Sequence, residues 1–292
     1  MLFNSLVFLV FLPLVVGAYY ALRRSHRSQN TLLLIASYVF YGWWDWRFCG
    51  LMLASCLVDY SLGIQFMKHD SPGRRKLLLG VSLATNLGLL GAFKYFNFFA
   101  DSFQSIASQF GVDVGYTTLN VVLPVGISFY TFQTLGYTID VYRRKIKACR
   151  NLIDYLAFVS FFPQLVAGPI ERAEQMLPQF ATKRKFDDVL AREGCQQILW
   201  GFVKKLVIAD RLAVVVDPIY AQPENYSGPM LILATVFFAF QIYCDFSAYS
   251  DIAIGSAKLF GIRLMRNFAY PYFSQSVGEF WRRWHISLST WF

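Results

Sequence analysis

The sequence predicts an all-α polytopic integral membrane protein in which residues 1–292 form a single membrane domain. Composition is the first reason, because 56% of the residues are apolar and only 15% are charged, whereas soluble domains carry about 25% charged residues. The second reason is that several apolar runs approach the roughly 20 residues that a helix needs to cross a bilayer. We expect about seven spans and one re-entrant segment.

The predicted spans are separated by short polar connections. They cover residues 2–22, 31–44, 48–66, 77–98, 118–139, part of 196–220, and 229–257. The first run lacks a basic leader and a small-residue cleavage site, so we interpret it as a retained span and not as a signal peptide. Loops 23–30, 68–76 and 143–150 are basic, whereas 99–116 contains no Lys or Arg. Because basic loops stay in the cytoplasm, the N-terminus is predicted to lie outside.

Residues 152–170 interrupt this pattern. The segment is apolar but contains Pro163, Gly168 and Pro169, and a basic stretch follows at 183–192. If the segment crossed the bilayer, that basic stretch would lie outside, against the charge rule. A re-entrant segment keeps it in the cytoplasm. Broken backbone at membrane depth is tolerated only inside protein or beside a water-filled cavity, so we expect a cavity wall here.

Several classes of function are disfavoured. The net charge of +9 resides mainly in loops, where lipid headgroups attract basic residues, so we expect the lipid bilayer as a partner and no nucleic acid. The five cysteines form no C-x-x-C pair and the three histidines are scattered, so we predict no metal site. The sequence has no G-x-S-x-G, H-E-x-x-H or Walker A motif.

Polar side chains follow two tracks along the predicted span 229–257. Asp245 and Tyr249 lie on one face with Gln241 and Ser256, and a second track contains Tyr243, Ser247, Ser250 and Asp251. Intramembrane carboxylates are costly and face a cavity or a partner. The sequence leaves two alternatives open, a solute pathway and a hydrogen-bond network between helices. Asp59, Lys94 and Asp140 lie nearer predicted span ends, where solvated or snorkelled positions suffice.

The run FWRRWHISLSTWF at residues 280–292 carries the strongest candidate for chemistry. Ser276 and Glu279 have the spacing of a capping box, which predicts one helix with Arg282, His285 and Ser289 on the same face. His285 could then accept a proton from a hydroxyl nucleophile while Arg282 steers an anionic or carbonyl group. The alternative is a structural histidine that donates a hydrogen bond to a carbonyl.

Four segments resemble the membrane-bound O-acyltransferase (MBOAT) family. They are LPVGISFYTFQ (123–133), FFPQLVAGPIER (161–172), YCDFSAYSDIAIG (243–255) and GEFWRRWHISLST (278–290). The resemblance implies a helical bundle around a tunnel, with His285 as a catalytic residue of the W-H-x-S motif. It also implies substrate-binding or tunnel-lining positions at Arg282, Ser289, Asp245, Tyr249, Gln133, Pro169 and Glu171.

The resemblance further implies an activity and its partners. It implies that an acyl group, which we expect to be acetyl, passes from a cytoplasmic thioester toward hydroxyls of an exported polysaccharide such as alginate. No cofactor is expected to bind tightly, and the acyl donor is acetyl-coenzyme A or, as runner-up, a carrier-protein thioester. The implied location is the bacterial inner membrane, where periplasmic or extracellular partner proteins finish the transfer.

The chain departs from the family pattern at its end. The family has a second histidine a few tens of residues beyond the W-H-x-S motif, and this sequence ends at Phe292. We therefore expect a chain truncated before the end of the family fold, the N-terminal portion of a longer enzyme. The alternatives are a catalytically inactive membrane scaffold and, less favoured, a transporter.

Overall fold

A computed structural model describes residues 1–22, 25–111, 124–166 and 168–292. Within these ranges the regular structure is helical, and the first half contains α1 (Leu6–Ala21), α2 (His26–Asp45), α3 (Arg47–Lys68), α4 (Pro72–Leu90), α5 (Phe96–Gln109) and α6 (Ile127–Tyr142). A π-helical turn at Gly91–Tyr95 joins α4 to α5. Part of the predicted span 118–139 and residues 23–24 of the first basic loop lie outside the described residues.

The second half contains shorter and more irregular helices around one long one. They are α7 (Leu152–Ser160), α8 (Phe162–Leu165), α9 (Ala173–Phe180), α10 (Asp188–Phe202), α11 (Asp210–Ala221), α12 (Gly228–Leu259), α13 (Val277–Arg283) and α14 (Ile286–Trp291). A π-helical segment at Val203–Ala209 joins α10 to α11. Short 3₁₀ turns stand at Pro223–Asn225 and Pro271–Phe273.

Three helices among the described residues are long and apolar enough to cross a membrane: Arg47–Lys68, the continuous helix Pro72–Gln109, and Gly228–Leu259. They contain the predicted spans 48–66, 77–98 and 229–257. In lipid every backbone polar group needs an internal partner, which a helix supplies by itself. The protein is thus an all-α membrane protein, as the sequence predicts.

The segment predicted to re-enter the membrane is buried inside the protein. α7 has nine residues and is about 14 Å long, too short to cross a hydrocarbon core of about 30 Å. Its side chains from Asp154 to Ser160, and those of α8, are buried. α7 packs on α2 and α9, so other protein segments surround this broken helix. Its depth in a bilayer stays a prediction.

Glycines allow α10 and α12 to approach closely. A Cβ at Gly255 would lie 2.6 Å from the backbone oxygen of Gly194, and a Cβ at Gly201 would lie 2.9 Å from that of Ala248. Small residues at helix interfaces commonly permit such contact in membranes. The two helices therefore form a tight pair, and α12 gives the candidate site its wall.

Two carboxylates predicted near solvated span ends are buried, so that expectation is wrong for both. Asp59 is 0% exposed and accepts hydrogen bonds from Ser82 Oγ at 2.5 Å and Asn86 Nδ2 at 2.7 Å. Asp140 is also buried and lies 4.0 Å from the guanidinium of Arg172. The residues that bond to these two carboxylates belong to other helices and segments. The position of a carboxylate within its own span does not predict such partners.

The start of the chain is tied to the end of α12. Tyr19 Oη donates to the carbonyl of Phe260 at 3.0 Å, and Tyr20 Oη donates to that of Leu259 at 2.9 Å. The last carbonyls of a helix lack partners within the helix, so these phenols satisfy two of them. Arg184 is buried against the ring of Tyr19. Its guanidinium donates hydrogen bonds to Tyr19 Oη and to Asn30 Oδ1.

Candidate active site

The W-H-x-S motif lies in two short helices, so the single helix predicted from the sequence is wrong. α13 ends at Arg283, Trp284 is extended, and His285 has a left-handed backbone with φ of 46° before α14 begins. The predicted cap is present, because Ser276 Oγ accepts the Glu279 N–H at 3.2 Å. The helix that it starts is only seven residues long.

The helix breaks at His285 because another segment forms hydrogen bonds with the backbone groups of the motif. Residues 260–270 connect α12 to the 3₁₀ turn, and their last part, residues 265–270, runs alongside the motif. The N–H of Ala269 donates to the carbonyl of Arg283 at 2.9 Å, and the N–H of Ile286 donates to the carbonyl of Asn267 at 2.9 Å. These bonds replace the pairing that a continuous helix would make across the motif. Arg282, His285 and Ser289 therefore do not form one helical face.

His285 is half-buried on the wall made by α12. Its ring packs edge-on against Phe246, with the ring centroids 4.8 Å apart. Its Nε2 atom is buried and has no hydrogen-bond partner among the described residues. Burial lowers the pKa of His285 to about 4, because desolvation disfavours the charged imidazolium. The imidazole is therefore neutral at pH 7, and its Nε2 atom is shielded from solvent without a partner among the described residues.

The neighbours of His285 have structural contacts. Trp284 enters an aromatic cluster of Tyr243, Phe268, Tyr272 and Phe280. Ser289 Oγ donates to the carbonyl of Trp281 at 3.1 Å, so it stabilises the turn between α13 and α14. Arg282 is exposed. The ion pair of α13 is formed instead by Arg283 with Glu279.

The segment 168–172 contacts both the motif and the residues that run alongside it. Glu171 is buried, and its Oε1 accepts the N–H of Met265 at 2.5 Å. Burial raises the pKa of Glu171 to about 7, although the hydrogen bond from Met265 opposes the shift. Arg172 donates to the carbonyls of Thr290 at 2.8 Å and Trp291 at 2.9 Å, at the end of α14. Two segments that resemble the family are thus in contact.

Gln133 and Pro169 lie together around a narrow void. Its lining also includes Tyr130 and Gln164, and it has no room for a water molecule. Gln133 Nε2 and Gln164 Oε1 are buried without hydrogen-bond partners among the described residues. The structure brings these predicted tunnel-lining residues into one place, in a closed arrangement. Their role in a tunnel stays a prediction.

Asp245 and Tyr249 contact Lys205 and not His285. Lys205 Nζ lies 2.5 Å from Asp245 and 3.0 Å from Asp210, and it stands 5.4 Å from the centre of the Tyr249 ring. Lys205 belongs to the π-helical segment that follows α10. This paired arrangement favours a hydrogen-bond network between helices over a solute pathway, the two alternatives that the sequence leaves open.

A cleft of about 660 Å³ lies between α10, α12 and residues 264–270. Lys204, which is 7% exposed, forms an ion pair with Asp251 at 2.5 Å and donates to Ser247 at 2.8 Å. Lys258 and Arg266 line the cleft at the C-terminal end of α12, and Asn267 lines it beside the motif. The sequence does contain an indication of this cleft, because two charged residues, Lys204 and Asp251, lie inside predicted spans. Nothing local in the sequence pointed to Asn267.

The described residues contain no group of three or more His, Cys, Asp or Glu side chains that could hold a metal ion. Near the motif the polar groups of interest are the neutral imidazole of His285 and the buried carboxyl of Glu171, and the cleft beside α12 contributes cations that attract an anion.

Residues 144–292 match the sequence profile of MBOAT, the membrane-bound O-acyltransferase family. The profile covers half of the chain, the half that contains the cleft and the W-H-x-S motif. The chain belongs to this family of membrane proteins.

Individual relatives match over the whole chain. A probable alginate O-acetylase, AlgI, of Pseudomonas putida is 46% identical over 100% of this chain and 59% of the relative. The corresponding protein of Azotobacter vinelandii is also 46% identical, over 100% of this chain and 58% of the relative. A peptidoglycan O-acetyltransferase of Helicobacter pylori is 32% identical over 99% and 60%. The chain thus spans about three fifths of the length of these curated relatives.

Proposed function

We propose that the full-length protein is a membrane O-acyltransferase that acetylates hydroxyls of an exported polysaccharide. The observation that carries this proposal is the 46% identity, over the whole chain, to proteins named as probable alginate O-acetylases. The Helicobacter pylori relative is named for acetylation of peptidoglycan, another polymer whose acceptor groups are hydroxyls. The half-buried, neutral His285 fits chemistry on an uncharged hydroxyl.

The acyl donor in this proposal is a thioester on the cytoplasmic side. From the charge rule we infer that the C-terminal end of α12 faces the cytoplasm and the N-terminus lies outside, and the proposed membrane is the bacterial inner membrane. Lys258 and Arg266 line the cleft at that end, and both attract the phosphates of a donor. Acetyl-coenzyme A is the first candidate. A carrier-protein thioester, the runner-up that the family resemblance implies, is the second.

His285 would act on the hydroxyl that attacks the thioester carbonyl. The hydroxyl loses a proton as the new ester bond forms and the thiolate leaves, so it needs a hydrogen-bond acceptor at that moment. The neutral ring of His285 supplies one. Its pKa of about 4 makes it a weak base at pH 7, so its main contribution is to align the hydroxyl. A stronger base then takes the proton, the part that the family resemblance gives to a second histidine.

A strain that lacks the native gene provides the test. The full-length protein and its His285→Ala variant are expressed there, and ester-linked acetate on the exported polysaccharide is measured. Misplacement of a reacting group can cost about 10²-fold in rate, so acetylation should fall to background in the variant. His69→Ala, outside the motif, is the control and should retain acetylation. Labelled acetyl-coenzyme A and a labelled carrier protein, offered to inverted membrane vesicles, identify the donor.

Unchanged acetylation in His285→Ala would remove His285 from the site. If the wild-type protein supports no acetylation but still co-purifies with proteins from outside the membrane, the inactive-scaffold alternative replaces the proposal. Solute flux in proteoliposomes without acyl transfer would favour the transporter.

A further inference from the structure

The backbone at the W-H-x-S motif is held in an unfavourable conformation. Among the described residues, the non-glycine residues with positive φ are Arg144, Tyr270 and His285. Two of these lie at the hydrogen bonds between residues 265–270 and the motif, since Tyr270 follows the bonded Ala269 and His285 precedes the bonded Ile286. A left-handed conformation costs free energy for a residue with a Cβ, and it persists where surrounding contacts enforce it. Some group must therefore hold His285 in place.

Asn267 makes the contacts that do so. Its backbone oxygen accepts the N–H of Ile286 at 2.9 Å. Its side-chain Oδ1 accepts the hydroxyl of Ser287 at 2.9 Å and the N–H of Ser287 at 3.3 Å. Its Nδ2 donates to Ser250 Oγ on α12 at 3.2 Å. One side chain, 1% exposed, therefore connects α12 to a residue just beyond His285.

The chemistry of this position requires an amide. The side chain must accept hydrogen bonds from Ser287 and donate one to Ser250, and asparagine carries both functions on one planar group. Aspartate keeps the acceptor and loses the donor, and alanine loses both. Ser250 lies one helical turn from Phe246, on which the His285 ring packs. Asn267 thus fixes the motif to the same stretch of α12 that supports the imidazole.

We propose that Asn267 is a positioning residue for His285, acting through the bridge from Ser250 to Ser287. This inference rests on the proposed function where it concerns transfer, and on the geometry alone where it concerns the imidazole. Without the bridge the turn at His285 relaxes, the ring leaves Phe246, and Nε2 becomes exposed to solvent. Acyl transfer then slows because the hydroxyl is no longer aligned.

The test uses the full-length protein with three variants, Asn267→Ala, Asn267→Asp and Asn86→Ala. Asn86 is the matched control, because it is also 1% exposed and bonds to Asp59 and Ser55 without contacting the motif. The first readout is the acyl-transfer rate. We expect kcat to fall about 10²-fold in Asn267→Ala, as for a small misplacement of a reacting group, with little change in KM. Asn267→Asp should recover part of the loss.

The second readout needs no activity. Diethyl pyrocarbonate modifies neutral imidazole, and peptide mass spectrometry gives the rate at His285. We expect slow modification in the wild type, several-fold faster modification in Asn267→Ala, and no change in Asn86→Ala. An unchanged His285 rate in Asn267→Ala overturns the proposal, as does a kcat loss no greater than in Asn86→Ala. If the wild type transfers no acyl group, the proposed function fails while His285 modification still tests the bridge.

Discussion

Replacing Gly255 with alanine tests how closely α10 and α12 pack. The added Cβ would lie 2.6 Å from the backbone oxygen of Gly194 and 2.7 Å from Ile198 Cγ1, whereas ordinary contact begins at 3.4 Å. The helices must therefore separate by about 0.8 Å. Overpacking of this kind typically costs about 1–3 kcal/mol, and alanine regains about 1 kcal/mol of helix propensity. We expect a net loss of up to about 2 kcal/mol in the free energy of unfolding, which is about 1–3 kcal/mol less stable than a glycine-to-alanine change that gains helix propensity without overpacking.

Thermal unfolding of the purified protein in detergent, followed by tryptophan fluorescence, measures this loss. A change of about 1 kcal/mol shifts the melting temperature of a protein of this size by about 2–4 °C. Gly88→Ala on α4 is the matched control, because its Cβ would meet nothing within 4 Å and it gains only helix propensity. Equal melting temperatures for the two variants would refute the close approach of α10 and α12.

The remaining predictions concern charged side chains that bond to other segments of the protein. Asp251→Asn should lower the free energy of unfolding by about 3–5 kcal/mol, because it leaves Lys204 buried without a counter-ion. The double variant with Lys204→Met should recover most of the lost melting temperature. No recovery would argue against the ion pair. The pKa of Glu171, raised to about 7 from 4.5, means that the folded state binds this proton more tightly than the unfolded state. Stability should therefore fall as the pH rises between these values, and Glu171→Gln should flatten the dependence of the melting temperature on pH; an unchanged slope would contradict the shift. Arg172→Met should release the carbonyls at the end of α14, so that hydrogen exchange there accelerates while exchange in α3 stays constant; unaltered protection of α14 would count against this anchor.

The sequence predicts the long apolar helices well because the signal is local. The predicted span 48–66 lies inside Arg47–Lys68, and 229–257 lies inside Gly228–Leu259. A helix satisfies its own backbone groups, so an apolar run of sufficient length determines the element without knowledge of its neighbours. The cap at Ser276 was predictable for the same reason, since donor and acceptor are three residues apart.

The break at His285 was not predictable from local sequence. No glycine or proline stands within residues 280–292, and their helical spacing looked continuous. The break arises because Asn267 and Ala269 bond to the motif's backbone from 14 to 20 residues upstream. Such pairing is a tertiary property, and it overrides helix propensity. The same cause separates Arg282 and Ser289 from the face expected of them.

The partners of Lys204 and Lys205 could not be predicted, because the helical period changes at these residues. In an ideal α-helix with 3.6 residues per turn, the side chains of Lys204 and Lys205 would point about 100° apart. The sequence then does not predict which carboxylate each lysine contacts. The π-helical segment Val203–Ala209 aims Lys204 at Asp251 and Lys205 at Asp245. Short π-helical segments within α-helices often lie at functional sites. Sequence periodicity alone gives no warning of them.

Tyr19 and Tyr20 bind carbonyls that lie 241 and 239 residues further along the chain. A ribosome that adds about 5–20 residues per second needs about 12–48 s to cover that distance. Throughout that interval Tyr19 and Tyr20 lack these two acceptors, because the residues that carry them have not yet been made. The contact between α1 and the end of α12 therefore forms only after synthesis has passed residue 260, although α1 can pack on α2 much earlier.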